Sequence, residues 1–383
     1  MDAASHSDST EIRAWLTWLR APEVGPATLR MLRVRAGSAA AALRDFEKLR
    51  EEYRFAATTL TWLREPDHAR IEADLGWLDV PGNHFVTFDD AAFPPLLQHI
   101  SAPPAALFVT GDVGLLWRPQ VAIVGARSAS AAGLANARQF ARSLVKAGFV
   151  ITSGLADGID GAAHEAALEA DGRTIAVIGT GPDLTYPRKH RDLSTAIAQR
   201  GALVSEFPPG TPAKSDHFPR RNRLISGLSL GTLVVEASLH SGSLITARLA
   251  GDQGREVFAV PGSIHNPLAR GCHRLIREGA RLVESGEEVA ADLATQAAGQ
   301  GDRLRAQLAT PEAMATVPAS THRDPDYVRL LDALDHDPVG LDELAERTGL
   351  SIAALSSMLL VLELEGEISG AGGGRYARRT ALR

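Results

Sequence analysis

Several loops in this chain are rich in the residue types that hold phosphate. They read Gly125-Ala126-Arg127-Ser128, Ser153-Gly154-Leu155-Ala156-Asp157-Gly158-Ile159-Asp160, Gly179-Thr180-Gly181-Pro182-Asp183, and Ser241-Gly242-Ser243 a few residues after Glu236-Ala237. Small residues let backbone N–H groups approach an oxyanion, hydroxyls add donors, and Arg127 supplies a planar fork suited to phosphate. Further along, Lys214-Ser215-Asp216-His217-Phe218-Pro219-Arg220-Arg221-Asn222-Arg223 sets cations around one aromatic ring. Lys214, Arg221 and Arg223 would neutralise phosphates, loop amides at Gly125, Gly154 and Gly242 would hydrogen-bond them, and Phe218 would stack an unpaired base. That combination suits single-stranded nucleic acid, because a duplex hides its bases. The plainer alternative puts Phe218 in the core and only the arginines on the surface. From Tyr186 to Arg223 eight basic residues stand against three acidic ones, in a chain where 40 Lys and Arg face 46 Asp and Glu. A local excess of that kind marks a footprint for an anionic partner.

Other chemistries fit less well. Asp160 and His164 would share a helix face, with Asp157 a turn earlier and Glu165 beside them, as a metal nuclease would want. Helix capping by Asp157 or Asp160 and a hydrogen-bonded structural His164 account for the same residues, and no second acidic cluster lies nearby. Gly231-Thr232 followed by Glu236 is similar to part of the Rossmann-like phosphoribohydrolases that cleave nucleoside monophosphates. Here, however, the glutamate is four residues past the threonine, and no proline-glycine-glycine precedes it. Arg127 stands where the second glycine of a G-x-G-x-x-G turn would be, which disfavours a dinucleotide. P-loop and G-x-S-x-G motifs are missing as well. No cofactor, metal or catalytic residue is therefore expected.

The elements that must position these loops are legible from apolar patterning. Continuous apolar runs occur at Val121-Ala122-Ile123-Val124, Phe149-Val150-Ile151-Thr152, Thr174-Ile175-Ala176-Val177-Ile178, Ala202-Leu203-Val204, Thr232-Leu233-Val234-Val235 and Val257-Phe258-Ala259-Val260. Unbroken runs of this length are expected of strands buried on both faces of a parallel sheet. Helical stretches such as Ala131 to Lys146 and Leu244 to Gly251 lie between them, so the fold class is α/β, a doubly wound parallel sheet. The segment from His84 to Asp112, with its proline pairs, reads as an extension leading into the first strand. Four regions follow: an N-terminal helical domain (1–80), a Rossmann-like domain (81–288), a linker (289–322) and a C-terminal domain (323–383).

In the first region Trp15, Leu16, Trp18, Leu19, Leu29, Leu32 and Leu43 recur at helical spacing. Between them Pro22-Glu23-Val24-Gly25-Pro26 is either a phosphate-holding hairpin, with Glu23 where a glycine is usual, or a simple packing joint between helices. In the last region three helices, the third from Ser351 to Glu363, and a glycine-rich hairpin at 366–376 make a winged helix. That third helix has no Lys or Arg, so it is not expected to read a major groove. Contact with duplex DNA, where it occurs, would fall to the terminal domains, including the basic tail of Arg375, Arg378, Arg379 and Arg383.

Composition sets the outer limits. A chain of 383 residues, 45% hydrophobic and 22% charged, is long enough for two or three domains with real cores. No stretch approaches the roughly 20 apolar residues of a membrane helix. The polar start, Met1 to Arg13, does not resemble a secretory signal. Cys272 is the sole cysteine, which excludes an internal disulfide or a cysteine-rich zinc site and fits a reducing cytoplasm.

Taken in order, the motifs resemble those of the bacterial DNA-processing protein A family (DprA, or Smf). They are Phe93-Pro94, Leu107-Phe108-Val109-Thr110-Gly111, Val121 to Arg127, Ser153 to Asp160 with Ala163-His164, Tyr186-Pro187, Ser205-Glu206-Phe207-Pro208, Phe218 to Leu228, Glu236-Ala237 with Ser241 to Ala247, and Val260-Pro261-Gly262. The resemblance implies a single-stranded DNA-binding protein rather than an enzyme, one that protects incoming strands in natural transformation and helps load the RecA recombinase. It further implies a homodimer formed through the Rossmann-like domain and a sterile-alpha-motif-like fold for the N-terminal helices. Its DNA pocket would map to Gly125, Ala126 and Arg127, with Lys214 and Phe218 as the cation and aromatic platform. Ala126 stands where serine is frequent, which removes one hydroxyl contact.

Overall fold

The computed structural model describes residues 3–308, 325–334, 339–350, 355, 358–359, 362, 368–370 and 375–378. The chain divides into two compact units, residues 1–300 and 301–383. Six helices open the first: α1 (Ala3–Arg20), α2 (Pro26–Ala36), α3 (Ala39–Arg44), α4 (Phe46–Leu49), α5 (Ala57–Arg64) and α6 (His68–Leu78). Trp15, Trp18, Leu29 and Leu32 form their core, as the helical spacing requires. Gly25 caps α2, with Pro26 pre-set in its first turn and Gly37 ending it in the left-handed conformation.

The α/β part follows as β1 (Asn83–Thr87), α7 (Pro95–Gln98), β2 (Ala106–Gly111), β3 (Gln120–Val124), α8 (Ala131–Lys146), β4 (Val150–Ser153), α9 (Ile159–Glu169) and β5 (Thr174–Val177). Then come α10 (Arg191–Arg200), β6 (Ala202–Ser205), α11 (His217–Leu228), β7 (Gly231–Val234), α12 (Ser243–Asp252), β8 (Glu256–Ala259), α13 (Arg270–Arg277), β9 (Arg281–Leu282) and α14 (Gly286–Leu308). The nine strands form one sheet in the order β1-β2-β6-β5-β4-β3-β7-β8-β9. From β6 to β9 every pairing is parallel, whereas β1–β2 and β2–β6 are antiparallel.

All six expected strands are present, and the doubly wound α/β class holds. Their continuous apolar runs arise because alternate residues feed two cores: Val121 and Ile123 face α8 and α9, while Ala122 and Val124 face α11 and α12. Two points differ from the sequence expectation. The proline-bearing extension before the first apolar run contributes β1 and β2, paired as an antiparallel edge. Residues 289–308, expected within a linker, belong to α14, where Val289 and Leu293 are buried against the sheet and Gln300 donates to the Trp117 carbonyl. Alanine-rich composition masked a helix whose few apolar residues fall on one face.

The second unit shows helices Pro325–Ala333 and Leu341–Thr348 and a three-stranded sheet that pairs Arg375–Arg378 with Val339–Gly340 and with Ile368–Gly370. Leu330, Leu344, Leu355, Leu359 and Leu362 are buried together. The expected third helix, Ser351 to Glu363, lies for the most part outside the described residues, as do Arg379 and Arg383. Among the described residues no helix is long and apolar enough to cross a membrane.

Candidate nucleic-acid interface

The parallel sheet reverses its winding between β3 and β7, the switch point where open α/β sheets bind ligands beyond their strands' carboxyl ends. The loops after β3 and β7 and one face of α11 enclose a cavity of ≈ 600 Å³ there. Gly125, Ala126, Arg127, Ser128, Phe218, Arg221, Asn222, Ser241, Gly242 and Ser243 all line it. Ten of the candidate residues therefore meet in one place although they come from three distant stretches of sequence.

Close backbone packing shapes the site. Ala126 N–H donates to the Glu236 carbonyl at 2.7 Å and Ile159 N–H donates to the Ala126 carbonyl at 3.2 Å, locking the β3 loop between its neighbours. Gly158 has φ +75°, and a Cβ there would lie 2.2 Å from the Ala126 carbonyl oxygen. The Glu236 carboxylate accepts from the Ser130 hydroxyl at 2.6 Å and the Ser130 amide at 2.9 Å, while Ser130 Oγ caps Gly133. Glu236 is thus engaged in closing the N-terminus of α8. By contrast α12 opens onto the cavity with no acidic residue in its first turn, and the hydroxyls of Ser241 and Ser243 lie 2.6 Å apart at its mouth. A helix start that carries hydroxyls and no acid favours an anion.

Two arginines complete the positive wall. Arg127 is exposed, with its guanidinium 5.5 Å from the Phe218 ring centroid. Arg221 is only 4% exposed, and among the described residues its Nε and Nη1 have no hydrogen-bond partner. Burial lowers its pKa to about 10, which Asp160 beneath it partly opposes, so it stays charged at neutral pH. Asp160 is pushed up by burial and pulled back down by Arg221 and by the amides of Gly154 and Ala156, which donate to it at 3.1 and 3.4 Å. Phe218 is half-buried. It lines the cavity on one side, packs 5.5 Å from the exposed Tyr186 ring, and touches a smaller cavity of ≈ 60 Å³ shared with Arg127, Gly154 and Arg221.

Four candidate residues sit differently from expectation. The Ser153 hydroxyl is fully buried and donates to the Ile123 carbonyl at 2.6 Å, so it ties two strands together. The Gly154 amide is engaged by Asp160, and the residue's contribution is space: a Cβ there would fall 1.5 Å from Arg221 Nη1. Arg223 lies round the side of α11, paired with Glu206. Lys214 is exposed on the loop before α11 and does not line the cavity. Sequence reasoning did not single out Tyr186, Thr246 or Ile225 for the site. Ile225 follows Arg221 by one helical turn, the spacing that could have found it.

Asp157, Asp160 and His164 are distributed among structural tasks. Thr174 Oγ1 donates to the Ile151 carbonyl at 2.7 Å and so accepts from His164 Nδ1 at 2.6 Å. Asp157 is held by Lys189 at 3.0 Å and His190 at 3.4 Å. Burial keeps His164 neutral, with its pKa lowered to about 3. The unfolded chain, with an ordinary histidine near 6.5, takes up a proton between about pH 6.5 and 3 that the folded chain refuses. Stability is therefore expected to fall as pH drops through that window, by up to about 5 kcal/mol, and to be unaffected above it. Denaturant midpoints at neutral and mildly acid pH check this. His164→Gln should flatten the slope, and an equal slope in the variant would remove His164 as its source.

Known proteins can be set beside this geometry. Residues 84–294 match the family model described as DNA recombination-mediator protein A, residues 313–374 the DprA winged helix domain, and residues 9–65 the DprA-like N-terminal HHH domain. The HHH match agrees with an N-terminal helical domain. Protein Smf of Escherichia coli strain K12 is 43% identical over 313 residues, covering 81% of this chain and 82% of that protein. DNA processing protein DprA of Streptococcus pneumoniae is 47% identical over 203 residues, 53% of this chain and 72% of that protein. Among solved structures, the X-ray structure of the S. pneumoniae protein superposes with a TM-score of 0.66 at 36% identity, covering 73% of this chain and 97% of that one. DNA processing protein A from Helicobacter pylori, described for its single-stranded DNA binding mode, superposes with a TM-score of 0.51 at 30% identity over 56% of this chain and 97% of that one.

Proposed function

Because this chain belongs to the DNA recombination-mediator protein A family, we propose that the switch-point cavity binds single-stranded DNA and that binding, without catalysis, is what the site does. The observation that carries this reading is Arg221, a buried, charged guanidinium with two nitrogens left unpaired at a cavity wall. Unpaired buried donors cost free energy that a phosphate oxygen entering the cavity recovers. One phosphate sits between Arg127, Arg221 and the start of α12, with Ser241 and Ser243 as donors, and the adjoining base lies on Phe218. Asn222 and Ser128, at the rim, reach base edges or sugar. The single-stranded DNA binding of the H. pylori relative supports the same polymer for this chain.

In this reading the protein is cytoplasmic, protects incoming single strands and helps load the RecA recombinase in transformation and recombination. It works as a homodimer through its Rossmann-like domain, and any contact with duplex DNA belongs to the terminal domains. Phe218 offers a direct test of strand type. Stacking contributes roughly 1–3 kcal/mol per base, so Phe218→Leu is expected to weaken oligothymidylate binding about tenfold while leaving the salt dependence unchanged. Phe218→Trp should retain affinity. Wild-type affinity in the leucine variant would return this ring to a purely structural role.

A further inference from the structure

A second and larger cavity, ≈ 1030 Å³, lies on another side of α11. Helical spacing turns Phe218, Arg221, Asn222 and Ile225 toward the first cavity and Arg220 and Arg223 toward the second. The hairpin at 23–27 between α1 and α2 forms the facing wall. The floor is apolar, made by Leu29, Pro103, Phe207 and Pro208 among others. Its two acids are both engaged. Glu23 accepts from the Thr58 hydroxyl at 2.7 Å, and Glu206 pairs with Arg223 and stands 3.5 Å from Arg220.

Arg220, at the long end of its contact with Glu206, is the cation placed on the rim. Its side chain is 48% exposed, its guanidinium lies 5.1 Å over the Phe207 ring, and that ring is stacked on His217 at 4.0 Å. The two cavities flank α11: Phe207 and Pro208 line the second, Ser215 lines the first, and Lys214 is exposed just before Ser215, at the N-terminal end of that helix. An apolar floor with a guanidinium on its rim matches flat, unpaired bases beside an anionic backbone.

We propose that this groove takes the continuation of the same single strand. Leaving the first cavity, the strand passes the N-terminal end of α11 near Lys214, lays further bases along the apolar floor and sets a phosphate on Arg220. The proposal rests on the reading of the first cavity as a single-strand site. It goes beyond that reading by giving the N-terminal helical hairpin a direct part in holding DNA.

The test compares two oligothymidylates, one of about 5 nucleotides that can fill only the first cavity and one of about 20 that can reach both. Arg220→Ala removes an exposed side chain and leaves the Glu206–Arg223 pair in place. It should weaken the long oligonucleotide about fivefold and leave the short one unchanged, with Arg220→Glu stronger in the same direction. Arg127→Ala should weaken both. An Arg220 variant that weakens neither length, or both equally, overturns the groove while the Arg127 result keeps the first cavity. No effect of Arg127→Ala on either length would remove the first reading and this one with it. A photoreactive base at one end of the long strand should crosslink to the hairpin at 23–27. Crosslinks confined to the β3 loop and α12, with an acidic peptide competing only in the groove, would assign the groove to a protein partner instead.

Discussion

Replacing Arg221 with methionine is expected to weaken binding of a single strand roughly 100-fold. Hydrogen bonds to charged groups contribute about 1.5–3 kcal/mol each, and a factor of ten corresponds to about 1.4 kcal/mol. Arg221 offers two such donors, Nε and Nη1, which have no partner among the described residues. The expected loss is greater than for an exposed cation, because solvent screens a buried charge less. The protein should remain folded. Methionine fills similar length without a charge, and Asp160, which loses the neighbouring guanidinium, keeps its amide donors from Gly154 and Ala156 and takes up a proton more readily. Arg221→Lys should be intermediate, retaining charge without the fork. Unchanged affinity in the methionine variant, at unchanged salt, would mean that DNA does not enter this cavity.

Gly154→Ala is the second large effect, and it separates two glycines that look alike in sequence. At Gly154 an added Cβ would lie 1.5 Å from Arg221 Nη1, 2.5 Å from its Cζ and 2.7 Å from Asp160 Oδ2. The obstacle is chiefly the end of a long side chain, so the chain should fold with the guanidinium pushed out of place. DNA affinity is expected to fall at least about tenfold, against a stability loss of roughly 1–2 kcal/mol. At Gly158 the obstacle is backbone: the Ala126 carbonyl oxygen would be 2.2 Å away, and φ is +75°. Gly158→Ala should therefore lower the melting temperature more than Gly154→Ala does. Melting curves and oligonucleotide titrations on the same samples check both halves of the contrast. A Gly154→Ala protein that binds normally would show that Arg221 need not occupy its present position.

The sheet was legible because its central strands are buried on both faces and so carry unbroken apolar runs. Loop composition then located the switch point. What stayed hidden depends on direction rather than residue type. Ser153 looks like a phosphate donor, but a strand's alternation turns its hydroxyl into the sheet, onto Ile123. Arg221 and Arg223 are two residues apart, and about 200° of helix separates their sides, so one enters the cavity and the other meets Glu206. In sequence, Asp160 reads as a cap or a metal ligand. Its place under Arg221 depends on a fold-back of the β4 loop that spacing does not reveal. Strands β1 and β2 were not expected because the proline pairs at 94–95 and 103–104 between them read as an extended lead-in, although Leu107, Phe108 and Val109 of β2 are buried. In α14, Val289, Leu293 and Gln300 share a face, but alanine and glycine between them weaken the pattern.

The measurement that tests the account most directly is fluorescence anisotropy of a labelled oligothymidylate and of a duplex of equal length, across salt, for the wild type and Arg127→Ala. Arg127 is exposed, so its loss leaves the fold intact. The account predicts tighter binding of the single strand, log K falling with log salt by about 0.7 per phosphate contacted, and a weaker, shallower curve for the variant. Equal affinity for both forms, with identical curves for wild type and Arg127→Ala, would contradict it.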